Sequence, residues 1–232
     1  YSAASGRQQK LYTASALKLK EALAGGAWSG NGKLEVLSQL MRLRQICCDP
    51  ALCFEDYTGE SAKLETCVSL IASASAAGHK ILLFSQFASM LERIRERLLQ
   101  EGISSHLLVG ATPKEERSRM VQAFASDEVP VFLISLKAGG TGLNLTAADI
   151  VIHYDPWWNV AAQNQATDRA YRIGQEKPVT VYKLILKDTI EENLLKLQNA
   201  KLALAAQVVS EGMVSLGDLS QNELMELFEQ NP

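Results

Sequence analysis

The hydrophobic positions of this chain follow two different periods. Between residues 61 and 187, short continuous apolar runs alternate with longer segments whose apolar residues recur every three or four positions. The runs are KILLFSQF, SHLLVG, VPVFLISL, DIVIHYD and VTVYKLIL. Continuous runs of this length are typical of parallel strands that are buried on both faces, and the longer segments are typical of amphipathic helices. The pattern predicts an α/β fold, with a parallel sheet sandwiched by helices.

The residues on either side of this region predict helices alone. After a glycine-rich turn at 24–32, a helix is predicted with an inward stripe at Leu34, Leu37, Leu40 and Met41. Near the other end, a capping box at Asp188 and Glu191 opens a second long helical pattern. We therefore expect a helical segment at 1–60, an α/β lobe at 61–187 and a helical extension at 188–232.

Composition narrows the class of protein. The 232 residues are 47% hydrophobic and 21% charged, as in ordinary globular proteins. No apolar run reaches the ~18 residues of a membrane span, and the first residues do not resemble a signal peptide. We expect no membrane association and a cytosolic or nuclear location, and the absence of an initiator Met suggests part of a longer protein. Since the net charge is −3, nucleic-acid binding would need a local basic patch.

The four cysteines do not form a recognisable metal motif. Cys47, Cys48, Cys53 and Cys67 lack the Cys-x2-Cys or Cys/His pairing that zinc sites usually show. We expect buried free thiols and no metal site, and a metal site or a disulfide is the alternative.

A glycine-rich segment, SLKAGGTGLNLTAAD at 135–149, follows one predicted strand directly. Glycines there allow the backbone to approach a ligand closely or to adopt positive φ. The segment is not a Walker A loop, because no Gly-Lys-Ser/Thr follows. A tight strand-to-helix turn without a ligand is the alternative.

A second segment, DPWWNVAAQNQATDRAYRIGQ, follows the next strand. Arg169 and Arg172 are three residues apart, so on a helix they would be neighbours. Asp168 can pair well with only one of them, and the planar guanidinium of the other suits a phosphate. The alternative is a solvated or ion-paired face. Trp157 and Trp158 are either core residues or aromatics that contact a nucleic acid.

Several ordered motifs together resemble the C-terminal RecA-like lobe of the Swi/Snf family of DNA translocases, within helicase superfamily two. KILLFSQFASML resembles motif IV, SLKAGGTGLNLTAADIVIHYDPWWN resembles motif V and its extension, and QATDRAYRIGQ resembles motif VI. The resemblance extends from about residue 33 to residue 200, and the forms KAGGTGLN and DPWWN are similar to the prokaryotic branch.

The resemblance implies a role for each matching residue. Arg169 and Arg172 correspond to two arginine fingers that neutralise charge on the γ-phosphate of ATP. The nucleotide cleft would be supported by Gln165, Asp168, Gly140, Thr141, Gly142 and Asn144. The DNA backbone would be contacted by Ser85, Gln86, Lys137 and Trp158.

The resemblance also implies partners. The chain contains no Gly-x-Gly-Lys-Thr and no Asp-Glu-x-His, so ATP with Mg²⁺ would be bound mainly by an N-terminal RecA-like lobe of the same full-length protein. This lobe alone is expected to be monomeric and inactive. The expected partner is double-stranded DNA, and the expected location is bacterial or archaeal cytoplasm, associated with the nucleoid. The alternatives are a strand-separating helicase lobe and a non-catalytic interaction domain that retains the fold.

Overall fold

The computed structural model describes residues 1–26, 32–136, 138, 145–171, 175, 177–205, 224, 225 and 228, with the backbone alone at 200–205. Within these ranges the α-helices are α1 (Gly6–Ala24), α2 (Gly32–Cys48), α3 (Ala62–Ala76), α4 (Ala88–Gln100), α5 (Lys114–Ser126), α6 (Val160–Thr167) and α7 (Ile190–Ala205). The strands are β1 (Ile81–Ser85), β2 (Ser105–Leu108), β3 (Val131–Ser135), β4 (Ile150–His153) and β5 (Thr180–Lys183), and a short 3₁₀ helix lies at Pro50–Leu52.

The five strands form one parallel sheet in the order β2-β3-β1-β4-β5. Every residue of β1, β3 and β4 is buried, because central strands of a parallel sheet are covered on both faces. Helix α4 contacts β1, β2 and β3, and α5 contacts β2. The predicted α/β class and the parallel sheet flanked by helices are confirmed.

Strand β5 departs from the prediction of buried strands throughout. It lies at one edge of the sheet and pairs in parallel with β4, and all four of its residues are exposed. Val181 and Tyr182 are each 38% exposed. An apolar run therefore identified the strand correctly, but it could not show that the strand lies at an edge.

Two helices of the lobe end just before a glycine. Gly78 and Gly102 adopt positive φ directly beyond α3 and α4, where a side chain would be strained. Helix α5 begins at Lys114, and the hydroxyl of the preceding Thr112 accepts a hydrogen bond from the Val109 amide at 3.1 Å.

The chain divides into two compact units. The lobe unit consists of Leu64–Trp157 and Ala161–Leu184, and it contains the sheet. The helical unit consists of Tyr1–Lys63, Trp158–Val160 and Ile185–Pro232. Each unit has its own hydrophobic cluster.

In the helical unit, α1 and α2 pack together around an apolar cluster that also includes Leu224 and Phe228. The predicted stripe on α2 is only partly correct, because Leu34 is 75% exposed and Met41 is 41% exposed. The buried face of α2 is shifted to Val36, Leu40, Leu43, Ile46 and Cys47. The apolar pattern on α2 fits two adjacent faces, and only the packing partner selects between them.

All four cysteines are free thiols, and three of them are buried while Cys53 is half-buried. Burial raises the pKa of the Cys47 thiol, and the neighbouring Glu191 carboxylate raises it further. The described helices include none with the length and hydropathy that crossing a bilayer requires.

Candidate functional site

The carboxyl ends of β1 and β4 are joined by one buried carboxylate. Asp155 lies just beyond β4 and is 1% exposed. Its Oδ1 accepts a hydrogen bond from the Ser85 hydroxyl at 2.5 Å, and both carboxylate oxygens accept from the Gln86 amide at 3.2 and 3.3 Å. The ends of neighbouring parallel strands lie at one edge of the sheet, so a single carboxylate can hold both segments.

The two predicted DNA contacts in this segment, Ser85 and Gln86, differ in exposure. Ser85 is 0% exposed, and its hydroxyl is committed to Asp155, so its side chain does not reach the surface. Gln86 is half-buried, and its Nε2 donates to the Pro156 carbonyl at 3.1 Å. The polarity of the Ser85 side chain is satisfied from within the sheet, and a contact of Ser85 with DNA stays a prediction.

Helix α6 carries the start of motif VI. Gln165 lies on this helix and is exposed, and Asp168 follows the last helical residue and is also exposed. The helix ends at Thr167, so Arg169 lies in the turn that follows and not on the helix. Arg169 is only 3% exposed. Arg169 is therefore not on an exposed helix face, because α6 ends two residues before it.

The Arg169 turn lies beside the end of the glycine-rich segment. The Leu145 amide donates to the Arg169 carbonyl at 3.3 Å. Gln175 provides a second link, since its Nε2 donates to the Thr146 and Ala148 carbonyls at 3.0 and 2.7 Å. Segments that resemble motifs V and VI are thus joined by backbone and side-chain bonds in the described residues. Predicted site residues that lie outside the described residues are Lys137, Gly140, Thr141, Gly142, Asn144 and Arg172.

The two tryptophans belong to different units. Trp157 is 2% exposed and packs in the lobe cluster, in agreement with the core alternative. Trp158 is half-buried against the apolar cluster of the helical unit, with the Arg44 guanidinium 5.8 Å from its ring centroid. The indole Nε1 of Trp158 is buried. Trp158 therefore has a packing role in addition to any contact with a ligand.

Sequence reasoning missed three residues at this edge: His153, Asp155 and Gln163. His153 Nε2 lies 2.9 Å from the Thr167 hydroxyl, and Gln163 Oε1 accepts from the Trp157 amide at 3.1 Å. All three are nearly inaccessible to solvent. For His153 and Asp155 the signal is a polar side chain within or next to a continuous apolar run, because a buried polar group needs a specific partner. Gln163 lies in the polar stretch QNQ, which carries no such signal.

The opposite, amino-terminal edge of the sheet holds two further carboxylates. Asp149 contacts His79 Nδ1 at 2.9 Å and Asp127 contacts His106 Nε2 at 2.7 Å. Burial acts to raise the pKa of both carboxyls, but the histidine contacts, together with a backbone N–H donor and a lysine charge at each site, leave both pKa values lowered. In the described part of the chain, no three His, Cys, Asp or Glu side chains are grouped so that they could hold a metal ion.

Residues 62–174 match the model of a protein family described as "Helicase conserved C-terminal domain". The "Uncharacterized ATP-dependent helicase MG018" of Mycoplasma genitalium is 39% identical over 234 residues, which is 97% of this chain and 22% of that protein. The "SWI2/SNF2 ATPase C-terminal domain" of Sulfolobus solfataricus superposes with a TM-score of 0.79 at 31% identity, covering 100% of this chain and 97% of that one.

The chain also matches about half of a larger solved structure. The "SWI2/SNF2 ATPase core in complex with dsDNA" of Sulfolobus solfataricus superposes with a TM-score of 0.81 at 34% identity. The match covers 99% of this chain but 49% of that core, and the chain spans about a fifth of the length of the helicase from Mycoplasma. The match over nearly all of the separately solved domain shows that the chain belongs to the helicase C-terminal domain family, as a C-terminal lobe of the SWI2/SNF2 type.

Proposed function

We propose that this chain is the second motor lobe of an ATP-dependent double-stranded DNA translocase. It would supply arginine fingers to a nucleotide cleft that it shares with an N-terminal lobe of the same protein, and backbone contacts to the DNA. The observation that carries the proposal is the bond between the Leu145 amide and the Arg169 carbonyl, which joins the motif V and motif VI segments.

The arginines are the chemical part of the proposal. Arg169 and Arg172 would stabilise the negative charge that develops on the γ-phosphate during transfer, a contribution worth ~10³–10⁵ in rate for arginine fingers. The burial of Arg169 supports a guanidinium that acts from a preset position, since a fixed charge needs no reorganisation during the reaction. Gln165 and Asp168, both exposed beside the turn, would support the same cleft.

ATP fits the donor chemistry of this lobe. A guanidinium presents a planar fork of N–H donors that matches phosphate oxygens, so the motif VI arginines suit the γ-phosphate. When bound, ATP with its Mg²⁺ supplies the free energy of hydrolysis, and the first lobe would hold the metal and most of the nucleotide. This chain would contribute positive charge and the glycine-rich segment of motif V.

The DNA contacts would come from the segments next to this edge. Gln86 is partly accessible and is fixed by Asp155 and Pro156, which supports a preorganised backbone contact. Lys137 and the accessible part of Trp158 are the other candidates. Contacts of this kind carry no base readout, so binding would be independent of sequence and weakened by salt. The related Sulfolobus core in complex with double-stranded DNA supports this choice of substrate.

The test compares the chain alone with the chain joined to its N-terminal lobe. The chain alone is expected to show negligible DNA-stimulated ATPase, because it lacks the Walker motifs that hold the phosphates. Joining it to the first lobe is expected to restore activity. Robust phosphate release from the chain alone, in a preparation free of contaminating ATPases, would contradict the proposal. Unwinding of a duplex by the joined protein would instead favour a strand-separating helicase.

A further inference from the structure

The imidazole of His153 connects the central sheet to the helix that leads into motif VI. His153 is the last residue of β4 and is 1% exposed. Its Nε2 lies 2.9 Å from the hydroxyl of Thr167, which is the last residue of α6. The two residues are therefore a side-chain bridge between a buried strand and the end of a short helix.

The bonds around Thr167 determine which nitrogen of His153 carries the proton. The Thr167 hydroxyl donates its single proton to the Gln163 carbonyl at 3.3 Å, so it accepts from His153 Nε2–H. The other nitrogen, Nδ1, is buried and has no hydrogen-bond partner among the described residues. An unpaired acceptor at Nδ1 is less costly than the unpaired N–H that the other tautomer would bury. Burial lowers the pKa of His153 to about 3, and the charge of Lys183 acts in the same direction.

Aromatic neighbours fix the orientation of this ring. The Phe84 ring stacks on it, with centroids 5.7 Å apart and an interplanar angle of 23°. The Trp157 ring meets it edge-on at 5.5 Å and 83°. A ring packed on two sides has little freedom to rotate, so its N–H points in one direction.

A second bond fixes α6 one turn earlier. Gln163 is 1% exposed, and its Oε1 accepts from the Trp157 amide at 3.1 Å. Residues 163 and 167 are four apart and therefore lie on one face of the helix. Because both anchors come from His153 and the segment just after β4, the position and rotation of α6 are determined by that part of the lobe.

The end of α6 determines where the Arg169 turn begins. The Thr167 carbonyl accepts from the Ala170 amide at 3.0 Å, and the Arg169 amide donates to the Ala166 carbonyl at 3.3 Å. The Arg169 carbonyl in turn accepts from Leu145. A shift of Thr167 would therefore move the turn that carries Arg169.

We propose that His153 is a positioning residue for motif VI, which holds Thr167 through its Nε2–H and thereby sets the position of Arg169. This inference rests on the proposed function, in which Arg169 acts on the phosphate. A misplacement of about 1 Å remote from the reacting atoms can reduce a rate on the order of a hundredfold. Loss of the bridge should therefore lower turnover more than it lowers ATP binding.

Two pairs of variants test the bridge in the complete two-lobed protein, with saturating DNA. His153→Leu and Thr167→Val each remove the bond, and kcat is expected to fall at least about tenfold while KM for ATP changes less than about twofold. His153→Gln and Thr167→Ser each retain a group able to form it, and are expected to recover most of the turnover. Combining His153→Leu with Thr167→Val should cost no more than the larger single effect, since both remove the same bond.

Ser73→Ala is the matched control. The Ser73 hydroxyl donates to the Ser69 carbonyl four residues earlier, as Thr167 does to Gln163, but it lies on the exposed side of α3. Turnover of this variant is expected to equal that of the wild type. Thermal unfolding of every variant identifies any loss of fold. If His153→Leu does not fold, the kcat of the nearly isosteric Thr167→Val is the measurement that tests the bridge.

The outcomes separate this inference from the proposed function. If Arg169→Ala abolishes turnover while folded Thr167→Val keeps wild-type kcat, the bridge does not position the arginine and the inference is wrong. If Arg169→Ala and Arg172→Ala both retain wild-type turnover, the proposed function is wrong whatever the bridge does. Failure of Thr167→Ser to recover turnover also contradicts the inference.

Discussion

The ammonium of Lys63 and the carboxylate of Glu191 form an ion pair that is buried from solvent, although 128 residues separate them in sequence. Lys63 Nζ lies 2.5 Å from Oε1 and 2.7 Å from Oε2 of Glu191, which also accepts from the Leu186 amide at 2.9 Å. Burial acts to lower the pKa of Lys63, but the Glu191 carboxylate outweighs it and leaves the value raised. The pair joins the first and last parts of the helical unit.

Removing one partner of this pair should destabilise the protein strongly. Lys63→Met leaves the Glu191 carboxylate buried without its counter-charge, and such a loss typically costs about 3–5 kcal/mol. The double variant Lys63→Met/Glu191→Leu should recover much of that stability, because it buries no charge. Urea unfolding of the wild type, Lys63→Met, Glu191→Leu and the double variant gives the coupling free energy. Arg97→Met, at an exposed pair with Glu101, is the control and should change little. Additive losses in the double variant would contradict this account.

The motif VI arginines should affect turnover more than nucleotide binding. In the two-lobed protein, Arg169→Ala and Arg172→Ala are each expected to reduce DNA-stimulated turnover at least ~10²-fold with a smaller change in ATP affinity, because charge on the transferred phosphoryl group is greatest in the transition state. Lys should not substitute fully for either arginine, since a point charge lacks the planar fork. Steady-state ATPase and equilibrium nucleotide binding provide the measurement. A matched loss of affinity and turnover would assign the arginines to ground-state binding instead.

His153 should make stability depend on pH between about 3 and 6.5. Its folded pKa of about 3 is below the ordinary value of 6.5, so in this window the unfolded chain binds a proton that the folded chain does not. Stability should therefore fall with decreasing pH, by about 1.4 kcal/mol per pH unit from this group alone. The difference in unfolding free energy between the wild type and His153→Gln, measured at pH 7 and pH 5, isolates the effect. Equal differences at the two pH values would show that His153 titrates normally.

Trp158→Ala should weaken the coupling between DNA binding and ATP turnover. The ring is half-buried in the helical unit, so some loss of stability is also expected, whereas the sheet of the lobe unit should remain folded. Trp158→Phe keeps an apolar aromatic ring in the cluster and serves as the comparison. The DNA concentration that gives half-maximal ATPase, measured alongside thermal unfolding, distinguishes the two effects. A variant that loses stability but keeps its DNA dependence would limit Trp158 to packing.

The residues alone predicted the strands and helices of the lobe, the parallel sheet and the family. These predictions succeeded because the spacing of apolar residues is a local property of the sequence, and because each motif is a continuous segment. The continuous runs of β1, β3 and β4 are buried as expected, and Gly78 and Gly102 follow α3 and α4. The predicted roles of Gln86, Lys137 and Arg172 remain predictions.

Only the tertiary structure decided which polar residues point inward. Ser85 was identified as a residue for DNA contact, yet Asp155, 70 residues later, satisfies its hydroxyl inside the sheet. Arg169 was expected on a helix face, but α6 ends at Thr167 and the turn is held by Leu145. The partners that make burial of a polar group favourable come from distant parts of the chain. For that reason the local sequence identified the chemistry of the motifs, and the packing of β4 against α6 determined where their side chains lie.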